Sequence, residues 1–118
     1  MLLREVVDLL QAQVIWGAEL LDTLRVPAGF AADLMSEVLA FSAPDALLIT
    51  GLTSVQSIQT ANVADLPAIL FVNDKRPGPQ VMDLARERGI PLLTTHLTMF
   101  AACGLLYEKG LRPGLKGK

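Results

Sequence analysis

The residues equipped for chemistry are few and fall in short clusters. Thr50-Gly51-Leu52-Thr53-Ser54 sets three hydroxyls around a glycine. Gly51 would permit a tight turn from strand to helix, and the free N–H groups at a helix start can hold a phosphate or carboxylate. The same residues also read as a cap, with Thr53 at the N-cap and Gln56 three residues on. Neither the glycine spacing and lysine of a Walker A loop nor a GxGxxG run is present. Asn73-Asp74-Lys75-Arg76-Pro77-Gly78-Pro79 offers two cations, either a grip for an anion or an exposed turn. Thr95-His96-Leu97-Thr98 offers an imidazole, the side chain that changes charge near neutral pH. His96 has no nucleophile beside it, and Thr95 and Thr98 serve equally as helix-start caps. Asp33 and Glu37, with Ser36 between them, stand one helical turn apart as an acid pair or half a metal site. Asp33 is equally the N-cap of the helix that follows. Cys103 falls on an apolar helical stripe and reads as a small buried hydrophobe.

Hydrophobic periodicity supplies the elements that must position these groups. Leu2, Leu3, Val6, Val7 and Leu10 recur at helical spacing. Residues 12–16 read as a short strand stopped by Gly17, residues 18–26 are ambiguous, and 27–32 read as a strand of small residues with Pro27 at its start or on an edge. Leu34, Met35, Val38 and Leu39 form a short helix after Asp33. From residue 45 the pattern becomes regular. The apolar runs 46–49, 68–72 and 90–94 are strands buried on both faces. They alternate with helices over 54–64, 80–88 and 98–109, the latter two stopped by Gly89 and Gly110. The last helix places Met99, Phe100, Cys103, Leu106 and Tyr107 at helical spacing. Repeated strand–helix units imply an α/β fold of three layers with a mostly parallel sheet. Ligands of such sheets bind beyond the carboxyl ends of the strands. The three loops should therefore meet at one edge and bring Asp33, Ser36, Thr50, Gly51, Thr53, Ser54, Thr95 and His96 together as the candidate ligand-binding set.

Composition bounds the rest. The 118 residues make one domain, over 1–110, followed by a Gly- and Pro-containing basic tail, 111–118, expected to fray. Apolar residues reach 52% with a mean hydropathy of +0.45, which excludes a disordered chain and favours an apolar face for self-association. No apolar run is long enough to span a membrane, and charges at Arg4, Glu5 and Asp8 break any secretory segment, so the expected location is the cytoplasm. A single cysteine excludes an internal disulfide, and one histidine and one cysteine argue against zinc. No metal or cofactor is expected. Residues 1–108 carry twelve acids against six bases, the wrong balance for nucleic acid.

The strings Ala32-Asp33-Leu34-Met35-Ser36-Glu37-Val38-Leu39-Ala40-Phe41 and Leu48-Ile49-Thr50-Gly51-Leu52-Thr53-Ser54 are distinctive. Thr60-Ala61, Gly89-Ile90-Pro91-Leu92-Leu93-Thr94-Thr95 and Met99-Phe100 follow at suitable spacing. Together they resemble the DRTGG domain family over nearly the whole chain. The family's name-giving Asp-Arg-Thr-Gly-Gly string is absent, and Thr50-Gly51-Leu52-Thr53-Ser54 occupies the comparable turn. The resemblance implies an α/β fold like the amino-terminal domain of HPr kinase/phosphorylase. It implies a regulatory role in place of catalysis. It also implies self-association, as a dimer, and a kinase-like or redox-enzyme partner. Two further readings stay open beside this one. One is a small-molecule sensor for a nucleotide or phosphorylated metabolite held over Gly51, Thr53 and Ser54. The other is a phosphoryl- or acyl-transfer enzyme, which needs Asp33, His96 and Thr50 in one pocket. For the region Ala18–Phe30, the residues Trp16, Leu20 and Phe30 are candidates for a dimer face.

Overall fold

Five helices and six strands alternate along a computed structural model that describes residues 1–117. They are α1 (Leu3–Leu10), β1 (Gln13–Trp16), β2 (Ala28–Ala31), α2 (Met35–Phe41), β3 (Leu47–Thr50), α3 (Val55–Val63), β4 (Ala68–Phe71), α4 (Pro79–Arg88), β5 (Leu92–Thr94), α5 (Met99–Glu108) and β6 (Arg112–Pro113). The ambiguous region after β1 contains a single 3-10 turn, Ala18–Leu20.

One sheet holds all six strands in the order β1-β5-β4-β3-β2-β6. β2 through β5 and β6 run parallel, while β1 closes one edge antiparallel to β5. The chain steps from β2 to β5 one strand at a time in one direction, then α5 carries it back across the sheet to β6. Crossovers of one hand put helices of opposite travel on opposite faces. The side chains agree. Leu48, Ile69, Phe71 and Leu92 pack with Met35, Val38, Ile58, Ala61, Val81 and Ala85 of α2, α3 and α4. Leu47, Ile49, Leu70 and Leu93 pack with Leu3, Val6 and Leu10 of α1 and with Ala102 and Leu106 of α5. Alternate residues of each central strand therefore feed two separate cores, which is why these runs are apolar without interruption. Among the described residues no helix is long and apolar enough to cross a membrane.

Two local expectations change. The carboxy-terminal segment pairs with the sheet as far as it is described. Leu111 is buried, Arg112–Pro113 add to β2, and Ser42 bridges Leu115. The reason is that β2 would otherwise leave its outer N–H and C=O groups unpaired, and Pro113 is tolerated on an edge strand. Residue 118 lies outside the described residues. The second change concerns α5, whose outer residues Phe100 and Tyr107 are exposed although they share the helical spacing of its buried ones.

Candidate functional site

The loops beyond the carboxyl ends of the strands gather in two separate pairs. The β2–α2 loop meets the β3–α3 loop through Asp33. Its Oδ1 accepts the Gly51 N–H at 2.7 Å and the Thr50 hydroxyl at 3.1 Å. Thr50 Oγ1 in turn accepts the Leu52 N–H at 3.1 Å. One carboxylate thus ties two loops that are 17 and 18 residues apart in sequence. Ser57, buried at the first turn of α3, points its hydroxyl at the carbonyls of Leu52 and Ser54 and holds the loop from below.

Asp33 is therefore not the N-cap of α2. Leu34 takes that position, without a side-chain bond. Thr53 and Gln56 form no capping box either, because α3 begins one residue later, at N-cap Ser54, again without a side-chain bond. Gly51 does not occupy the left-handed region, unlike Gly17, Gly89, Gly110 and Gly117. A Cβ there would stand 3.4 Å from Asp33 Oδ1, an ordinary contact with the end of that side chain.

The second pair closes the place where the strand exits diverge. β4 leads to α4 on one face and β5 to α5 on the other, which makes the crevice between them the expected ligand position. It is stitched shut. Asn73 N–H donates to the Leu97 carbonyl at 2.8 Å, Asp74 N–H to the Thr95 carbonyl at 2.8 Å, and the Thr94 hydroxyl to the Lys75 carbonyl at 2.7 Å. Asn73 and Asp74 both take positive φ, which their short polar side chains tolerate. The Thr95 hydroxyl turns inward and donates to the Leu10 carbonyl at 3.0 Å.

The candidate set divides accordingly. Asp33, Thr50 and Gly51 are brought into contact, with partly buried Thr53 and Ser54 following on the same loop. Ser36 and His96 are exposed, and neither joins this network among the described residues. Thr50 and Thr95 are 0% and 1% exposed, with their hydroxyls committed to internal bonds, so neither is free for a ligand. Thr98, in contrast, does cap its helix by accepting the Ala101 N–H at 3.3 Å. Arg76 turns to the Gln13 side chain on β1, away from Asp33. Among the described residues no three His, Cys, Asp or Glu side chains gather closely enough to hold a metal.

Sequence reasoning missed Ser57 and the bond from Thr95 to Leu10. A hydroxyl inside an apolar helical stripe was the available signal for the first. For the second, the acceptor is a backbone carbonyl 85 residues away, which no local pattern marks.

Cys103 is half-buried beside a cavity of about 100 Å³ under α5, and desolvation raises its thiol pKa above the ordinary range. The thiolate is the reactive form, so Cys103 is expected to react with iodoacetamide at pH 8 several-fold more slowly than a free peptide thiol. An equal rate would show that the thiol is solvated.

The family model of the DRTGG domain matches residues 5–108. The chain belongs to the DRTGG domain family. This DRTGG domain also superposes, with a TM-score of 0.67 and 15% identity, on a crystal structure of the CBS and DRTGG domains of the regulatory region of Clostridium perfringens pyrophosphatase, complexed with its activator, diadenosine tetraphosphate. The match covers 88% of this chain and 45% of that one, so this DRTGG domain spans less than half of that structure. The likeness confirms the α/β architecture. No curated protein matches the chain.

Proposed function

We propose that this DRTGG domain is a regulatory and interaction module, without catalytic chemistry of its own, that self-associates and acts on a partner enzyme. The observation that carries the reading is the apolar surface left on a densely packed domain. Phe100 is 90% exposed, Val63 71%, Leu34 59%, Tyr107 58% and Phe41 55%. Phe100 and Tyr107 lie on α5 and Leu34, Phe41 and Val63 on the α2 and α3 side of the sheet, and clusters of exposed apolar residues mark interaction surfaces. The polar groups at the carboxyl edge support the same reading. Asp33, Thr50 and Thr95 are spent on tying elements together, and His96 joins no such bond among the described residues. A kinase-like or redox enzyme is the partner class that the family resemblance favours. Sedimentation velocity at micromolar concentrations is expected to show a dimer. A monomer throughout the accessible range overturns self-association.

A second reading is favoured by one specific observation: a structure of the same fold holds a dinucleotide activator in a regulatory region. In this reading the domain senses a nucleotide or phosphorylated metabolite at the carboxyl edge. The first-turn amides of α3, which no side chain caps, would receive the anion. Asp33 bears directly on the affinity, because its carboxylate already occupies the Gly51 amide and repels a phosphate. The neighbouring cavity of about 290 Å³ between α3 and α4 is lined by Glu87 and by Asp83, which Arg86 pairs at 3.2 Å.

A thermal-melt screen against adenine and guanine nucleotides tests this. A ligand at 100 times its Kd stabilises by about 2.7 kcal/mol, a rise of about ten degrees for a domain of this size. Asp33→Asn is expected to increase any such shift. No shift with wild type or with Asp33→Asn overturns the sensor reading.

A further inference from the structure

Ser42, at the carboxyl end of α2, is the one buried side chain whose polar group the fold does not use. It is 1% exposed, and its hydroxyl has no hydrogen-bond partner among the described residues. A buried hydroxyl without a partner costs free energy, so folded proteins keep few of them. Ser42 lines a cavity of about 240 Å³ at the amino ends of β3 and β4, where α2 and α3 finish. This is the opposite end of the sheet from the Asp33 loop. We propose that the cavity binds a free α-amino acid with a small apolar side chain.

The donors in it suit a carboxylate. The Lys116 N–H donates to the Phe41 carbonyl at 2.8 Å, which fixes that residue against the end of α2. The Lys116 ammonium donates to the Leu39 carbonyl at 3.1 Å. An ammonium has three donors, so two are left for a ligand, and the Ser42 hydroxyl adds another. Donors from a charged group to a carboxylate make the stronger kind of hydrogen bond.

The acid in it suits an ammonium. Asp65 lines the same cavity and forms no ion pair with Lys116 among the described residues. A molecule that carries both charges satisfies both groups. A plain anion meets repulsion from Asp65, and a plain cation meets repulsion from Lys116. Neither α2 nor α3 has a basic residue in its last turn, so the carbonyl end of α3 adds to the attraction for a positive group.

The remaining wall is apolar. Leu39 and Val63, which are 43% and 71% exposed, line the cavity together with Pro44. They give a ligand side chain a surface to cover. The volume bounds its size. It is below the roughly 300–1,000 Å³ of sites for drug-sized molecules and far above the about 30 Å³ of one water. A water would satisfy Ser42 and leave the two charges and the apolar wall without a role.

Amide chemical-shift titration of the full chain tests the proposal with three probes. They are L-valine, isovalerate, which lacks the ammonium, and isobutylamine, which lacks the carboxylate. The expected result is saturable shifts with valine over residues 39–44, 63–65 and 116. The other two probes should bind at least about tenfold more weakly. Ser42→Ala should weaken valine about tenfold. It should leave the melting temperature of the unliganded protein unchanged or higher, because the unpartnered hydroxyl is removed with it. Asp65→Asn keeps a residue type that tolerates the φ of +57 at this position. It should bring valine down to the affinity of isovalerate. No saturable shift with valine overturns the proposal, and so do shifts confined to the amino end of α3. A Ser42→Ala variant that melts higher and binds valine like the wild type overturns it as well. Isovalerate binding as tightly as valine also overturns it, since the carboxylate alone is then recognised. These outcomes leave the self-association and nucleotide readings untouched.

Discussion

Phe71→Ala is expected to destabilise the domain by about 3–5 kcal/mol and to lower Tm by about 10–20 °C. Phe71 is fully buried and is the last residue of β4, between β3 and β5. Its ring belongs to the core beneath α2, α3 and α4, with Leu48, Ile69 and Leu92 on the same face of the sheet. A ring removed from the middle of that layer leaves a void that fixed strands cannot collapse to fill, so cavity cost adds to lost transfer energy. The effect reaches the carboxyl edge. The Phe71 carbonyl accepts the Thr95 N–H at 2.9 Å, and Thr50 pairs with Phe71 across the ladder. The β3, β4 and β5 exits therefore share this residue as a common anchor. Urea denaturation followed by circular dichroism measures the loss. A change under about 1 kcal/mol would mean that the helical layer shifts inward and refills the space.

The central strands were legible for the same physical reason that makes Phe71 matter. Ala46–Ile49 and Ala68–Val72 are apolar without interruption because two cores draw on alternate residues, so the pattern reports burial on both faces. Gly89 was legible as a helix stop because it takes φ +70, where a bare Cα has no penalty. Thr98 was legible as a cap because its acceptor role is local.

The site itself was legible as a place and not as a network. A carboxylate just before an apolar helix satisfies the local rule for an N-cap, and that rule assigned Asp33 to α2. The real bonds run to Thr50 and Gly51 on a neighbouring strand exit, contacts that exist only once the sheet has formed. Thr95 fails in the same manner, because its acceptor lies on α1, at the other end of the chain. Gly51 was expected from backbone conformation, yet it takes no positive φ, and a Cβ there would make only ordinary contact with the Asp33 carboxylate. Phe100 and Tyr107 expose a different limit. Helical periodicity shows which residues share a face. It does not distinguish a face turned to the sheet from one turned to solvent, and α5 has both.

The second large effect is expected at Gly17, which joins the antiparallel edge strand to the rest of the fold. Gly17 has φ +95, a conformation that costs a residue with a side chain about 1–2 kcal/mol. A Cβ there would lie 2.6 Å from Pro91 Cβ and 2.9 Å from Pro91 Cα. The proline ring cannot rotate away, so the backbone of the β1 end or of the β5 start must move, at a further cost of about 1–3 kcal/mol. Gly17→Ala is therefore expected to cost about 2–5 kcal/mol in all, through two terms that act at the same atom. The movement falls on a contact with a defined role. β1 covers the outer edge of β5, with Trp16 paired to Leu92 and Gln13 to Thr94. Loosening that pair bares a strand edge with apolar side chains, the condition for edge-to-edge association. It also loosens the residues that lead to Thr95, whose bond to Leu10 locks α1 against the same strand. Hydrogen exchange separates the consequences. In Gly17→Ala the amides of β1 and β5 should lose protection before those of β3 and β4, because the strain enters at one edge of the sheet. Uniform loss of protection across all four strands would mean that the edge is not an independent opening unit, and an unchanged Tm would mean that the contact with Pro91 yields at no cost.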